Sequence, residues 1–532
     1  MVKKYSLKEL NDCLNNKVLP RLLPVNQMVK SQDYRHTMVP DSMWGQIHLS
    51  PWETALVDTP LMQRMRQIHQ LGAAFLVYPS AIHDRFTHSL GVAYLAESLL
   101  ERLQARLRYK NTDDEDYSPD EIVSLKDVYT VKMAGLLHDI GHCMFSHYSE
   151  GALKPYLDEV YPEMAADIPN KPSTHELLGY MILVSDYFNR YWKEVIVPIF
   201  KRWKVEEKDI PNPKDMGKII TGNFISSEKR FLTEIINGPY DMDRLEYMQR
   251  DSQMAGLSIA YDKDRYFAKL ILHKQKNSKN LTIWTLAMKQ DGVHAAEQII
   301  MGKMLFFPYI FQHNKVLASG FLLSRIVEML VEGKSTTTIK IKNPCELLLY
   351  TDYDLLCMSC KSYNPALQWR IEAFKNRDFP KVAFAFKKDF CLNNPNDKNF
   401  IRNLKTFIKA ATGKNKKLTE ELSECIAKKA REKGISYAGQ EVEISCSMTK
   451  SSVDQIANAP IISYTQKLEK VKDRWLIRNL DKDLNHIGDT VYFYVPDPLF
   501  KEAFDVIGKF LNKNYGFIID SDAVRDVVKL KK

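Results

Sequence analysis

From residue 58 to about residue 330, hydrophobic positions recur with the period of an α-helix. The clearest example follows His88, where one helix face is apolar at Val92, Leu95, Ala96, Leu99, Leu103 and Leu107. Similar spacing predicts helices at 125–138, 174–187 and 242–254. The acidic stretch 111–120 breaks the pattern and is predicted to be a solvated loop. This part of the chain is therefore expected to be mainly helical.

The pattern changes after residue 280. Three segments alternate apolar and polar residues as strands do: 281–289, 336–342 and 489–497. We therefore predict a mainly α fold, in which a helical core is followed by a smaller C-terminal α/β lobe. The predicted parts are an N-terminal lead-in (1–45), the core (46–335) and the lobe (336–532), which we expect to serve oligomerisation or regulation. In the lead-in, Pro20, Pro24 and Pro40 are expected to interrupt any long helix.

Composition sets the size and class of the protein. With roughly 150 residues per domain as the usual prior, 532 residues predict about two to four units. Hydrophobic residues make up 45% and aromatic residues 11%, which is typical of a folded globular protein. No apolar run approaches the ~18 residues that span a bilayer, and the first residues, MVKKYSLKEL, lack a signal-peptide core. We expect a soluble cytoplasmic protein that does not enter a membrane.

The cysteine content and the net charge exclude few classes of function. Eight irregularly spaced cysteines do not form a disulfide pattern. Cys357 and Cys360 form the one CxxC motif, for which ordinary thiols are favoured over a structural zinc because no second pair follows at suitable spacing. The net charge of +9 suits anionic substrates or partners without selecting one.

The most basic segment, 402–433, has ten basic side chains against four glutamates. The basic residues are Arg402, Lys405, Lys409, Lys414, Lys416, Lys417, Lys428, Lys429, Arg431 and Lys433. A face that binds nucleic acid is one interpretation. A solvated helical surface is favoured, because aromatic residues that could stack on bases are nearly absent there.

Two histidines and two aspartates form a candidate metal site: His88, the adjacent pair His138–Asp139, and Asp243. Adjacent side chains on a helix diverge by about 100°, so His138 and Asp139 can share one ion only if it lies beyond the helix end. The glycine in the following IGH segment stands where a helix often stops. Two nitrogen and two oxygen ligands suit Fe, Mn, Mg, Zn or Ni with open coordination positions. The alternative is that each histidine is an ordinary hydrogen-bonded residue.

These residues lie within longer patterns that resemble the HD-domain phosphohydrolase superfamily. The resemblance is closest to its deoxynucleoside triphosphate triphosphohydrolase branch, which includes the SAM-and-HD-domain dNTPases and the bacterial dGTPases. It covers about residues 45–315 and rests on GQIHLSPWETALVDTPLMQRMRQIHQLG (45–72), YPSAIHDRFTHSLGV (78–92), LLHDIGHCMFSHYSE (136–150), THELLGY (174–180) and YDMDRLEYMQRD (240–251). Only about 45 residues precede this region, so we expect no sterile-alpha-motif domain.

The resemblance implies roles for particular residues. It makes His88, His138, Asp139 and Asp243 ligands of one divalent metal ion, with further Mg²⁺ accompanying the nucleotide. It makes His142, His175 and His147 active-site histidines, and a protonated imidazole can protonate a departing 5′-oxygen. The implied substrate contacts are Arg85 and Arg244 with phosphates, Tyr247 and Asp251 with phosphates and sugar, and Gln70 and Leu71 with the deoxyribose.

One segment departs from the family pattern. Where the family usually has an arginine followed eight residues later by a tyrosine, this chain has Lys303 and Phe311. A lysine can neutralise a phosphate as a point charge. A phenylalanine can stack on a base but cannot donate a hydrogen bond. The preferred base is therefore not predicted.

The implied activity is metal-dependent cleavage of a dNTP to a deoxynucleoside and inorganic triphosphate. One alternative is a phosphodiesterase or nuclease of the same superfamily, acting on single-stranded or cyclic nucleotides. A second is a catalytically silent nucleotide sensor or scaffold, which the intact ligand set and His142 disfavour.

The resemblance also implies regulation. Relatives form tetramers or hexamers, and many are activated by a nucleotide bound between subunits. Asp58, Gln63 and Arg66 match positions that contact such an activator, although Arg66 and Asp58 could instead form an exposed ion pair. A role in nucleotide-pool control or antiviral defence is implied in the same way.

Overall fold

The computed structural model describes residues 4–28, 34–110, 118–259, 261–276, 280–333, 339–357, 364–412, 417–435, 443–447, 459–463, 467–471 and 490–529. The predicted fold class is confirmed, because a large helical core is followed by a smaller α/β region. Within the described residues, no helix combines the length and the apolar character that crossing a membrane requires.

The α-helices are numbered in chain order. The first five are α1 (Leu7–Cys13), α2 (Leu19–Leu22), α3 (Val25–Met28), α4 (Pro51–Val57) and α5 (Pro60–Gln63). The central ones are α6 (Arg85–Lys110), α7 (Pro119–Ile122), α8 (Leu125–Leu137), α9 (Glu150–Met164), α10 (Thr174–Val184), α11 (Asp186–Tyr191), α12 (Val197–Arg202), α13 (Pro213–Ile220), α14 (Phe231–Glu234), α15 (Met242–Met254), α16 (Lys263–Lys269), α17 (Val293–Tyr309) and α18 (Asn314–Val331). The last are α19 (Asp352–Cys357), α20 (Pro365–Lys375), α21 (Lys398–Thr412), α22 (Lys417–Glu432), α23 (Phe500–Tyr515) and α24 (Ser521–Val528).

The described strands form three sheets. They are β1 (Thr37–Asp41), β2 (Gly45–Leu49), β3 (Leu270–Lys276), β4 (Thr282–Lys289), β5 (Lys381–Phe386), β6 (Glu443–Ser447), β7 (Pro460–Ile462), β8 (Leu468–Lys470) and β9 (Thr490–Val495). β1 and β2 form an antiparallel pair, the second sheet has the order β3-β4-β7-β8, and the third has the order β5-β9-β6. β4 and β7 are parallel, while the other pairs are antiparallel.

Two predicted elements need correction. The helix predicted at 174–187 is broken at Ser185, which ends α10 and whose hydroxyl accepts the Phe188 N–H at the start of α11. The strand predicted at 336–342 is wrong for its described part, 339–342, which pairs with no strand among the described residues. Ile339 and Ile341 are buried and the residues between and after them are exposed. Alternating burial therefore produced the pattern without a sheet.

Hydrophobic packing divides the described residues into a main core and a C-terminal core. The main core includes Leu10, Leu14 and Leu19 of the N-terminal lead-in, so its part from Leu7 to Met28 is helical and packed, while Thr37–Asp41 form β1. It also includes buried residues from Ile339 to Phe374, beyond the boundary predicted at residue 335. The C-terminal core joins β5 and β9 to α21–α24 and begins at Ala383. The predicted division at 335 remains a prediction; this packing favours one near residue 380, although Ala459, Ile461 and Val471 pack in the main core.

The helices that carry the candidate site begin with side-chain caps. Ser124 and Asp127 form a capping box at α8, and Ser173 and Glu176 form another at α10. At α15, the Asp241 carboxylate accepts the Arg244 N–H at 2.7 Å. These caps satisfy backbone donors that would otherwise lack partners and fix where each helix starts. His175 and Asp243 lie next to the capped starts of α10 and α15, whereas His138 and Asp139 follow the C-terminal end of α8.

A half-buried carboxyl joins the helical core to β4. Glu234 Oε2 accepts the Leu286 N–H at 2.7 Å. Burial raises the pKa of Glu234 to about 7 from an ordinary 4.5, although the Leu286 hydrogen bond lowers it. The folded chain therefore binds the Glu234 proton more tightly than the unfolded chain does. This contribution to stability is fully present below about pH 4.5 and is lost as the pH rises through about 7.

We expect Glu234→Gln to raise the free energy of unfolding at pH 8 by about 1–3 kcal/mol and to have little effect at pH 4.5. The glutamine oxygen can still accept the Leu286 N–H, while the buried negative charge is removed. Urea unfolding at the two pH values measures the difference. Glu228→Gln, at an exposed position, is the control. An equal change for Glu234→Gln at both pH values would contradict the explanation.

Candidate metal centre and active site

The four predicted metal ligands converge at the ends of three helices. His88 lies in the first turn of α6, His138 and Asp139 directly follow α8, and Asp243 lies in the first turn of α15. His88 Nε2 lies 3.0 Å from Asp243 Oδ1 and 3.2 Å from His138 Nε2. His138 Nε2 lies 3.3 Å from Asp139 Oδ1 and 3.7 Å from Asp243 Oδ1. Because α8 ends at Leu137, just before His138–Asp139, both side chains can face one point.

The donor set fits a divalent cation. His88 Nδ1 contacts Glu246 Oε2 at 2.6 Å, and His138 Nδ1 contacts the Gly135 carbonyl at 2.7 Å. Each acceptor assigns the proton to Nδ1, so that both Nε2 lone pairs face the two aspartates and each other. Adjacent ligands of an octahedral ion with bonds of 2.0–2.1 Å are ~3 Å apart, close to the distances found here. His88, His138 and Asp139 are all buried.

Glu246 is a site residue that the sequence analysis missed. Besides His88, its carboxylate accepts Arg250 Nε–H at 2.6 Å and Trp44 Nε1–H at 3.0 Å. Arg250 also pairs with Asp41, at 3.0 Å. An added Cβ at Gly91 would lie 2.3 Å from Glu246 Oε1, so the absence of a side chain there makes room for this carboxylate. Glu246 lies three residues after Asp243 on α15, and this helical spacing could have indicated that the two side chains share a face.

We expect Glu246→Gln to raise the Mn²⁺ concentration needed for half-saturation about 10–100-fold. The amide would place N–H groups against His88 Nδ1 and favour the tautomer whose Nε2 is protonated and cannot bind metal. Metal content after dialysis at graded Mn²⁺ concentrations measures the change. Glu297→Gln is the matched control, because Glu297 is buried 2.8 Å from His294 Nδ1 in α17. An unchanged half-saturating concentration would contradict the tautomer argument.

Arg85 is buried against the metal ligands. Its Nη1 pairs with Asp139 Oδ2 at 2.6 Å, and its Nε donates to Ser146 Oγ at 2.7 Å. Burial alone would raise the pKa of Asp139, but Arg85 and His138 hold it below its usual range. Asp139 is therefore a carboxylate, as a metal ligand must be.

The three predicted active-site histidines lie together around Glu150. Glu150 Oε1 lies 2.7 Å from both His147 Nδ1 and His175 Nδ1. The rings of His142 and His175 stack with centroids 3.8 Å apart. An added Cβ at Gly141 would lie 2.0 Å from the His175 carbonyl oxygen, so this glycine allows the turn after α8 to approach α10 closely. Glu150, three residues after His147 in the sequence, is a second site residue that the sequence analysis missed.

The environment separates the protonation states of these histidines. Burial lowers the pKa of His142, and the nearby positive charge of Arg85 lowers it further. Burial also disfavours the charged form of His175, but its hydrogen bond to Glu150 raises the pKa above the ordinary value. His147 is 60% exposed, whereas His142 is fully buried. His175 therefore holds a proton more readily than His142.

A cavity of about 190 Å³ opens beside the metal ligands and the histidine group. Its lining includes His138, His175, Asp243 and Arg244. Arg244 Nη2 pairs with Asp241 Oδ2 at 3.3 Å. Burial, together with the neighbouring Arg244, lowers the pKa of Lys303 to about 8. Arg244 therefore lines the cavity and Lys303 lies close to Arg244, while Glu176, Asp241 and Asp243 contribute carboxyl groups to the same lining.

The predicted sugar and base contacts lie near an apolar cluster. Leu71 is buried in it, and Tyr247 and Phe311 pack against it. Asp251 is buried, with Oδ1 2.6 Å from His83 Nε2. The backbone N–H of Gln70 donates to the His83 carbonyl at 3.0 Å. These five predicted contacts therefore lie near one another: Leu71, Tyr247 and Phe311 belong to the apolar cluster or pack against it, and Asp251 and Gln70 both contact His83.

The predicted activator residues lie elsewhere, around α5. Gln63 Nε2 donates to the Val57 carbonyl at 2.8 Å, and Arg66 Nε donates to Gln63 Oε1 at 2.9 Å. The Arg66 guanidinium lies 3.6 Å from the centroid of the Phe86 ring. Asp58 and Arg66 are exposed. The role of these three residues in binding a nucleotide remains a prediction.

The basic segment has the surface expected of solvated helices. Its eight described basic residues are exposed on α21 and α22 or just after them: Arg402, Lys405, Lys409, Lys417, Lys428, Lys429, Arg431 and Lys433. Lys429 pairs with Glu432 at 3.1 Å and Lys433 with Glu502 at 2.7 Å. Lys414, Lys416 and Cys360 lie outside the described residues.

With this geometry in view, comparison with known proteins identifies the domain. The HD domain family model matches residues 85–213, which contain every predicted metal ligand except Asp243. Residues 85–213 therefore resemble an HD domain, and the predicted resemblance to HD-domain phosphohydrolases of the triphosphohydrolase branch is confirmed.

The proteins similar to this chain include named triphosphohydrolases and an uncharacterised protein. The deoxynucleoside triphosphate triphosphohydrolase SAMHD1 of Gallus gallus is 30% identical over 48% of this chain and 40% of its own length. The Homo sapiens protein of that name is 31% identical over 43% of this chain and 35% of its own length. An uncharacterised protein of Methanocaldococcus jannaschii is 25% identical over 59% of this chain and 54% of its own length. The chain therefore spans less than half of the length of these SAMHD1 proteins.

A solved structure shares the fold. The crystal structure of a hypothetical protein from Aquifex aeolicus matches with a TM-score of 0.55 over 89% of this chain and all of that chain. The two sequences are 20% identical, so this likeness concerns the fold alone.

Proposed function

We propose that this protein is a metal-dependent dNTP triphosphohydrolase that releases a deoxynucleoside and inorganic triphosphate. The observation that carries the proposal is the joint position of the four-ligand centre, the cavity with Arg244 and Lys303 beside it, and the histidine–Glu150 group. The triphosphohydrolases named above, which are 30% and 31% identical over 48% and 43% of this chain, support the proposal.

In this proposal three groups of residues have separate roles. His88, His138, Asp139 and Asp243 would hold the divalent cation, which supplies Lewis-acid activation of water and of a phosphoryl group when bound. Arg85, Arg244 and Lys303 would bind the oxygens of the triphosphate and stabilise the charge that spreads over them. Leu71, Gln70, Tyr247, Asp251 and Phe311 would form the sugar and base side of the pocket.

Bond breaking requires a proton. Water attacks the α-phosphorus, the bond from that phosphorus to the 5′-oxygen breaks, and the 5′-oxygen takes up a proton as the deoxynucleoside leaves. His142, His147 and His175 are the nearest candidates for the donor, because they lie together beside the metal ligands. Glu150 orients His147 and His175. Activation by a nucleotide, assembly into tetramers or hexamers and a cytoplasmic location are further parts of this proposal.

Product analysis tests the proposal. Purified protein is incubated with each of the four dNTPs and Mn²⁺, alone and in mixtures, and the products are separated by ion exchange. Deoxynucleoside plus triphosphate is the expected result. Deoxynucleoside monophosphate plus pyrophosphate, or no turnover, would overturn it. Degradation of a labelled oligonucleotide or a cyclic nucleotide with dNTPs untouched would favour the phosphodiesterase alternative.

A further inference from the structure

A buried carboxylate from a distant part of the chain holds the turn that follows the HD pair. Asp352, the first residue of α19, is fully buried. Its Oδ2 lies 2.6 Å from His69 Nδ1 and accepts the His69 backbone N–H at 2.9 Å. Its Oδ1 accepts the Phe145 N–H, although Phe145 lies 207 residues earlier. Asp352 thus joins three donors in two segments.

The turn it holds has an unfavourable backbone. Phe145 and Ser146 have φ angles of 55° and 58°, in the left-handed region that residues with a side chain rarely adopt. Such conformations persist only where surrounding contacts fix them. The Phe145 ring is fully buried and meets Phe374 of α20 edge to face, with centroids 5.7 Å apart. The Phe145 side chain and its N–H are therefore both fixed by residues beyond 350.

The turn sets the position of a proposed phosphate contact. Ser146 Oγ accepts Arg85 Nε–H at 2.7 Å and donates to the His69 carbonyl at 2.6 Å. Arg85 in turn pairs with Asp139. His147 and Glu150 follow the turn directly. A change in the backbone at Phe145 and Ser146 would therefore move Arg85 and the histidine group together.

We propose that Asp352 is a positioning residue, which fixes Arg85 and the histidine–Glu150 group through His69, Phe145 and Ser146. In this proposal α19, which lies outside the residues that match the HD domain family, supports the active site. The effect on catalysis rests on the proposed function, whereas the effect on the turn does not. The experiment therefore measures both.

Asp352→Asn is compared with wild type in the full-length protein. In asparagine an NH2 group replaces one carboxylate oxygen, and this group cannot accept the hydrogen bonds that the oxygen accepts in Asp352. We expect hydrogen exchange of the 139–150 segment to accelerate about tenfold or more, and kcat for dNTP hydrolysis to fall about tenfold or more. Bound metal should remain unchanged, because the four ligands are intact. Asp354→Asn is the matched control, since this exposed carboxylate on the same helix bonds Thr351.

His69 provides a second test that does not depend on the folding of the Asp352 variant. His69→Ala should reproduce both effects, and His69→Gln should restore most of the activity because its amide can donate to Asp352. Unchanged exchange at 139–150, or faster exchange with full activity, would overturn the proposal. If the wild type hydrolyses no dNTP, the proposed function fails, and the exchange rates alone decide whether Asp352 holds the turn.

Discussion

His138→Ala is expected to remove the bound metal and to lower kcat for dNTP hydrolysis about a thousandfold or more. Metal catalysis supplies several kcal/mol of transition-state stabilisation, and each 1.36 kcal/mol is a factor of about ten in rate. His138 Nε2 faces His88, Asp139 and Asp243, so its loss opens one side of the ligand set. Metal content measured by mass spectrometry and dNTP turnover are the two readouts.

His138 is an informative ligand to remove, because outside the ligand set its Nδ1 contacts one backbone carbonyl. Removal of His88 would instead take one of three contacts from the buried Glu246 carboxylate, and removal of Asp139 would leave the buried Arg85 without its carboxylate partner. His273→Ala, a change of a partly buried histidine on β3, is the control and should leave both readouts unchanged. Wild-type turnover and wild-type metal content in His138→Ala would contradict the proposed centre.

The helices that carry the site could be predicted from sequence, because their buried faces repeat with helical period. The predicted 242–254 matches α15, and 125–138 matches α8 to within one residue. The strand predicted at 336–342 shows the limit of this reasoning. Alternation indicates which side chains are buried, but a sheet also needs a partner strand, which the local pattern does not contain.

The candidate site was predictable where its residues belong to contiguous motifs. Arg85 and His88, or His138, Asp139 and His142, are separated by fixed short intervals along one segment. Glu246 follows Asp243 by three residues, so helical spacing could have identified it. Asp352 could not be found in this way, because its contact with Phe145 depends on how α19 packs against a turn far along the chain. Tertiary contacts of that kind leave no local pattern.

The histidine group allows the proposed proton transfer to be separated from metal binding. A general acid matters most when the leaving group is a poor one, such as the 5′-alkoxide of a deoxynucleoside. An aryl phosphodiester with p-nitrophenolate as leaving group needs little protonation. The loss of an acid should therefore depend strongly on the substrate, while the loss of a metal ligand should affect both.

We expect His175→Ala to lower kcat for dNTP hydrolysis about 10²–10⁴-fold and to change hydrolysis of bis(p-nitrophenyl) phosphate far less. His175 is held by Glu150 at 2.7 Å, stacks on His142 and does not contact His88, so bound metal should stay at the wild-type level. Steady-state rates on both substrates and the metal content of the same samples measure this. His138→Ala is the comparison variant, expected to lose activity on both. An equal loss on the two substrates in His175→Ala would assign His175 to substrate binding or to the fold, because the loss of a proton donor should slow mainly the substrate with the poorer leaving group.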